Sequence, residues 1–136
     1  VIVDTPVWSA ALRRRRRNLS ARERSLVLHL RELIINRDAI LLGSVRQELL
    51  TGITDPGKFE MSRQRLRALD DLAPDTDDYE RAAEYANQCA RHGIASTTID
   101  MLICAVAIGR GVPILTTDDD FARYAQWVPI QLHPLP

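Results

Sequence analysis

Val1-Ile2-Val3-Asp4-Thr5-Pro6 is the stretch on which the reading of this chain turns. Three apolar residues of high strand propensity run straight into a carboxylate. A Thr and a Pro follow, a pair suited to capping and starting a helix. The pattern predicts a buried central strand ending at Asp4, then a helix N-capped by Thr5 with Pro6 at its first position. In open α/β sheets ligands bind beyond the carboxyl ends of the strands. Asp4 is therefore expected where chemistry is done.

Outward from there, strand and helix patterns alternate. The first helix is expected to end near Leu12, and a helix capped by Ser20 to run from Ala21 to about Asn36, with Leu26, Leu30, Leu33 and Ile34 as its core stripe. Val27 and Ile35 widen that stripe enough for sheet packing or a dimer face. Ala39 to Leu42 reads as a second strand ended by Gly43. Ser44 is expected to cap a helix through Leu50, with Gln47 completing a capping box. Asp55-Pro56 opens a helix read as far as Leu72, and Ala73-Pro74 reads as a brief edge strand. A helix capped by Thr76 or Asp77 follows, closed by Gly93 after His92. Thr97 caps an apolar helix from Thr98 to about Ile108, ended by Gly109 and Gly111. Val112 to Thr116 is the fourth strand, residues 117–125 a turn and short helix, and Val128 to Leu132 a last strand. Such alternation predicts a parallel sheet covered by helices on both faces.

The 136 residues suit one domain, 46% apolar and 26% charged, with no run long enough to span a membrane. The opening residues read as a core strand and not as a secretory leader. Cys89 and Cys104 lack C-x-x-C spacing and read as small buried hydrophobes. A cytoplasmic protein is expected. His29, His92 and His133 are far apart in sequence and show no metal-ligand spacing. Net charge is zero, but residues 1–68 hold 14 Lys and Arg against 7 Asp and Glu, and residues 69–136 hold 4 against 11. A basic surface can thus lie beside an acidic site. Arg13, Arg14, Arg15, Arg16 and Arg17 form an unbroken basic run. It reads equally well as solvated surface or as a contact for nucleic-acid phosphates.

Four carboxylates are expected at one edge of the sheet: Asp4, Glu48, Asp100 and Asp118. Each has an ordinary explanation alone. Asp100 could complete a capping box with Thr97, Asp120 one with Thr117, and Glu48 could be a solvated helical residue. Together, clustered carboxylates repel one another, and a divalent cation removes that penalty. Oxygen ligands without His or Cys favour Mg²⁺ or Mn²⁺. Such a centre suits phosphodiester hydrolysis: the metal lowers the pKa of water and offsets phosphate charge, while a spare carboxylate orients or deprotonates the water.

Val1 to Thr5; Val45, Glu48, Leu49 and Gly52; Asp100, Leu102, Ile103, Ala105, Val106 and Ala107; and Leu115, Thr116, Asp118, Asp120 and Phe121 together resemble the PIN domain. More narrowly, they are similar to VapC-type ribonuclease toxins of bacterial type II toxin–antitoxin systems. The resemblance runs through almost the whole chain with its motifs in order. It implies a three-layer α/β/α fold with sheet order 3-2-1-4-5 and residues 1–136 as a single domain. It implies a Mg²⁺- or Mn²⁺-dependent endoribonuclease acting on tRNA or ribosomal RNA and leaving a 5′-phosphate and a 3′-hydroxyl. It further implies a homodimer neutralised by a VapB-type antitoxin. By position, Asp4, Glu48, Asp100 and Asp118 match the acidic quartet, Asp120 an additional acid, and Thr5 and Thr116 supporting hydroxyls. The Arg13–Arg17 run would meet RNA or the antitoxin. One departure is Pro6, where the family usually has Ser. The competing expectation is a PIN-like module that binds RNA or a protein partner but cleaves poorly. A receiver domain fits worse, because the first strand offers only Asp4 and no acid ends the third.

Overall fold

A computed structural model describes residues 1–12 and 16–136, without the side chain of Arg16. Arg13, Arg14 and Arg15 lie outside the described residues, so most of the basic run is not placed.

The first strand, β1 (Ile2–Val3), is short and wholly buried. Successive strand residues point to opposite faces, so burial of both means that both faces of the sheet are covered. The same holds for β2 (Leu41–Leu42) and β4 (Ile114–Leu115), whereas β3 (Asp71–Leu72) is an exposed edge. β1 pairs in parallel with β4, with Ile2 opposite Ile114 and Val3 opposite Leu115. β2 pairs in parallel with β3. Parallel bridges from Ile2 to Ile40 and from Ile114 to Leu132 join the two pairs and add the C-terminal segment at the far edge. The resulting order is β3-β2-β1-β4 and then residues around 132, the 3-2-1-4-5 order expected. The final strand is only that single bridge, because Pro129 and Pro134 flank it and cannot donate to a ladder.

The first helix, α1 (Thr5–Leu12), departs from expectation by one residue. Asp4, not Thr5, holds the capping position: its carbonyl accepts from Val7 N, and Thr5 is already helical. Trp8 locks α1 onto β1, its buried indole N–H donating to Val3 O at 3.1 Å. Next comes α2 (Ala21–Ile35), capped by Ser20 in a reciprocal box with Glu23. Leu26, Leu30 and Leu33 are buried as expected, but Ile34, expected in the same stripe, is exposed, as are Leu28 and Ile35. In α3 (Gly43–Leu50) the expected Ser44 capping box is absent. The helix starts at Gly43, and Ser44 Oγ is buried with no partner.

α4 (Pro56–Leu66) stops six residues short of the expected end. Arg67 caps it, and the chain turns into β3 at Asp71–Leu72 instead of Ala73-Pro74. Arg46 of α3 holds that turn, donating to Asp71 Oδ1 and Leu69 O. α5 (Thr76–Arg91) is capped by Asp75, one residue before the expected cap, in a box with Asp78. It packs along α6 (Thr98–Arg110), which Gly111 closes in the left-handed conformation. Gly109 lies inside α6: a Cβ there would meet the Arg81 guanidinium at 2.8 Å and Asp78 at 3.1 Å. Its smallness serves helix contact and not termination. α7 (Asp120–Tyr124) then brings Phe121 and Tyr124 into the core. One cluster of buried apolar residues runs from Ile2 to Val128. Among the described residues, no helix is long and apolar enough to cross a membrane.

Asp78 is a buried charge that sequence reading passed over. Burial pushes its carboxyl up. The Asp75 backbone N–H and the Arg110 and Arg81 guanidinium groups outweigh that and hold it below the usual range. Removing one partner of a buried pair leaves the other uncompensated. Asp78→Ala is therefore expected to lower unfolding stability by roughly 2–4 kcal/mol near neutral pH. A lowered folded-state pKa means this contribution exists above the ordinary carboxylate range and fades as pH falls through it. Urea unfolding of the variant and the parent at neutral and acid pH measures both effects.

Candidate active site

The parallel pairing of β1 with β4 builds the site. Continuing the register by one residue sets Asp4 opposite Thr116, and Asp4 N donates to Leu115 O at 3.0 Å. Residues paired across a ladder share a face. The Thr116 hydroxyl donates to Asp4 Oδ2 at 2.7 Å and accepts from Asp118 N at 2.9 Å. Thr5 N donates to Asp4 Oδ1 at 2.7 Å. Asp4 is thus a nearly inaccessible carboxylate, 3% exposed, with a hydrogen bond on each oxygen.

Thr5 serves the site instead of capping the helix. Its hydroxyl donates to Glu48 Oε2, tying α1 to α3 across the carboxyl end of the sheet. Asp100 sits in the first turn of α6. Thr97 Oγ caps that helix by accepting from Asp100 N at 3.0 Å. The Asp100 carboxylate accepts from the Tyr124 hydroxyl at 3.0 Å. The reciprocal capping box that would have explained Asp100 away is not formed. Asp118 is exposed at the end of β4, and its Oδ1 accepts from Asp120 N at 2.9 Å. Asp120 turns to Arg123, 3.0 Å away.

Electrostatics link the quartet. Burial pushes the Asp4 carboxyl up to about 6; hydrogen bonds from Thr116 and Thr5 oppose it, and the charges of Asp100 and Asp118 add to it. Burial likewise raises Asp100, opposed by Tyr124 and Thr97 and reinforced by Asp118 and Glu48. Burial and the Asp100 charge hold the Tyr124 phenol protonated. Burial and the nearby Asp100 raise the Cys104 thiol well above its usual range. The charges of Asp100 and Asp118 therefore reach Asp4, and those of Asp118 and Glu48 reach Asp100, while Asp120 is engaged with Arg123.

The donor set is all oxygen, negatively charged and partly desolvated, which fits a hard divalent cation. Among the described residues, no group of three or more His, Cys, Asp or Glu side chains is already disposed to hold an ion. Mg²⁺ keeps several of its waters and takes one or two carboxylates, so a site for it does not require three protein ligands already in place.

Beside the quartet lies an open groove of about 460 Å³. Pro6 and Ser9 of α1, Ser20 and Arg22 at the start of α2, and Thr117 and Asp119 line it. Sequence reading missed Tyr124. A buried Tyr three residues after Phe121 looks like core, and only the need of its hydroxyl for a partner hints otherwise.

The family model of the PIN domain matches residues 1–126. None of the curated proteins matches. The FitAcB structure from Neisseria gonorrhoeae is 22% identical over 98% of this chain and 96% of its own, with a TM-score of 0.75. VapBC2 from Rickettsia felis, bound to a DNA fragment from its promoter, is 16% identical over 97% and 96%, with a TM-score of 0.71. A toxin–antitoxin complex from Klebsiella pneumoniae is 16% identical over 90% of each chain, with a TM-score of 0.62. At these identities the likeness establishes a shared fold.

The raised Asp4 carboxyl has a consequence for stability. Below the ordinary carboxylate value of 3.8, Asp4 is protonated whether the chain is folded or not. Above it, only the fold retains the proton, and that stabilisation is lost as pH rises through about 6. The full difference is about 3 kcal/mol. In chelator near pH 8, Asp4→Asn is expected to melt several degrees above the parent, with about half the advantage left near pH 5. Thermal unfolding across that range measures it.

Proposed function

The chain belongs to the PIN domain family, and on that premise we propose that it is a Mg²⁺- or Mn²⁺-dependent endoribonuclease toxin neutralised by a VapB-type antitoxin. What supports the proposal is that the charges of Asp100 and Asp118 reach Asp4, at the carboxyl end of β1 beside β4, and those of Asp118 and Glu48 reach Asp100. In this reading Asp4 and Asp100 hold the cation, with Glu48 and Asp118 completing its surroundings through water. The bound ion would supply charge neutralisation for the phosphodiester and a more acidic water.

The rest of the work falls to the chain. Thr116 and the Thr5 N–H fix both oxygens of Asp4, so that its carboxylate is presented in one orientation. Tyr124 does the same for Asp100. Glu48, held by the Thr5 hydroxyl at the exposed rim, is placed to accept a proton from an attacking water. Arg22 in the adjoining groove, with the Arg13–Arg17 run that precedes α2, offers cationic contacts for an RNA backbone, which an acidic site would otherwise repel. Transfer RNA or ribosomal RNA is the proposed substrate class, cut to a 5′-phosphate and a 3′-hydroxyl. Leu28 and Ile35, two turns apart on the exposed side of α2, support pairing of two copies in the cytoplasm. An antitoxin partner is supported by the likeness to a solved toxin–antitoxin complex.

A second reading is a PIN module that binds RNA or a protein but cleaves poorly. Pro6 favours it, since no hydroxyl follows Thr5 to support the carboxylates; losses of that kind weaken metal sites about 10–100-fold. One experiment separates the two. Purified protein incubated with total tRNA and ribosomal RNA is expected to cleave with Mg²⁺ or Mn²⁺ and to stop with chelator. Asp4→Asn and Asp100→Asn are expected to abolish cleavage while leaving circular dichroism unchanged. Cleavage that survives both substitutions removes the carboxylate centre. RNA binding without cleavage by the parent assigns the weaker module.

A further inference from the structure

Two histidines that the sequence keeps 104 positions apart are brought together on the side of the molecule where α2 meets the C-terminal segment. The rings of His29 and His133 have centroids 5.0 Å apart, tilted by 40°. His133 is held at both ends. Its backbone N–H donates to Ile114 O at 2.8 Å, and its Nδ1 lies 2.9 Å from Pro134 O. A carbonyl accepts only, so in the neutral ring the proton sits on Nδ1 and Nε2 is the nitrogen with a lone pair. On His29, Glu32 Oε2 stands 3.9 Å from Nδ1, while Nε2 is buried with no hydrogen-bond partner. A buried ring nitrogen without a partner is costly and uncommon.

We propose that His29 and His133 form a two-imidazole site for a borderline transition-metal ion of the Zn²⁺ class, clipping α2 to the C-terminal edge of the sheet. Three features agree on it. A neutral imidazole binds such ions through one nitrogen while the other is anchored to a carbonyl or carboxylate. Pro134 O anchors His133, and Glu32, on the same helix face three residues after His29, is placed to anchor His29. Zinc–nitrogen bonds of about 2 Å at a tetrahedral angle place two ring centroids about 5 Å apart, which is the separation here. The orphaned Nε2 then acquires a partner. With two protein ligands the remaining positions belong to water, so the site is modest in affinity and structural in effect. It is chemically distinct from the oxygen-only quartet, which selects harder ions. The clip would fasten residues 131–133, whose backbone groups bond to Ile114 of β4. Its consequence is a metal-dependent tightening of the sheet edge next to the strand that carries Thr116.

The test is titration of the whole protein with ZnCl₂ in excess Mg²⁺, added as a competitor for the carboxylates, followed by calorimetry and thermal unfolding. The parent is expected to bind one Zn²⁺ and to melt higher with it. His29→Ala and His133→Ala are each expected to weaken binding at least tenfold and to erase the shift. Melting without zinc reports whether each variant still folds. His133 lies in the half-exposed terminal segment, so that variant keeps the test decisive if His29→Ala is destabilised. The absence of Zn²⁺ binding, equal binding by both variants, or dependence on one histidine alone would overturn the clip.

Discussion

The parallel contact between β1 and β4 is the constraint on which the rest depends. It is only two residue pairs long, yet its next register position joins Asp4 to Thr116. A carboxylate placed there must give up almost all of its water. The protein replaces that water with one hydroxyl and one backbone N–H, and then adds the charges of Asp100 and Asp118 nearby. Desolvation and the like charges oppose folding, and the two hydrogen bonds offset only part of that cost. Apolar burial on both faces of β1, β2 and β4, with Trp8 locking α1 against Val3, supplies the stability that allows it.

Two buried aspartates show how differently the fold treats the same residue. Asp78 is paired with Arg110 and Arg81, and its ionised form is favoured in the seam between α5 and α6. Asp4 accepts from Thr5 N and the Thr116 hydroxyl and not from a cation; its ionised form is disfavoured by burial and by like charge. The first behaves as part of the scaffold. The second is a desolvated carboxylate beside like charges, the electrostatic condition that the proposed cation site requires.

Much of this was legible in the sequence, for identifiable reasons. β1 was readable because a fully buried parallel strand is an unbroken apolar run, and the places of Asp4 and Asp118 were readable because they directly follow strands. Caps were less readable. Thr5, Ser44 and Thr76 all look like caps, yet Asp4, Leu42 and Asp75 hold those positions, because several polar residues in succession offer equivalent local choices and tertiary contacts decide among them. The end of α4 was misplaced because Leu69 and Leu72 continue a helical spacing while actually serving the turn and β3. Tyr124 and the His29–His133 pair were invisible because their partners are distant in sequence, and no local pattern encodes a contact made by the whole fold.

The central claim is that the quartet grips a hard cation, and it is tested most directly by crystals of the protein soaked in MnCl₂ with data collected at the manganese edge. The account predicts an anomalous peak about 2.0–2.4 Å from carboxylate oxygens of Asp4 and at least one of Glu48, Asp100 and Asp118. Crystals saturated with Mn²⁺ that show no peak among these side chains, or one held elsewhere on the molecule, would contradict it.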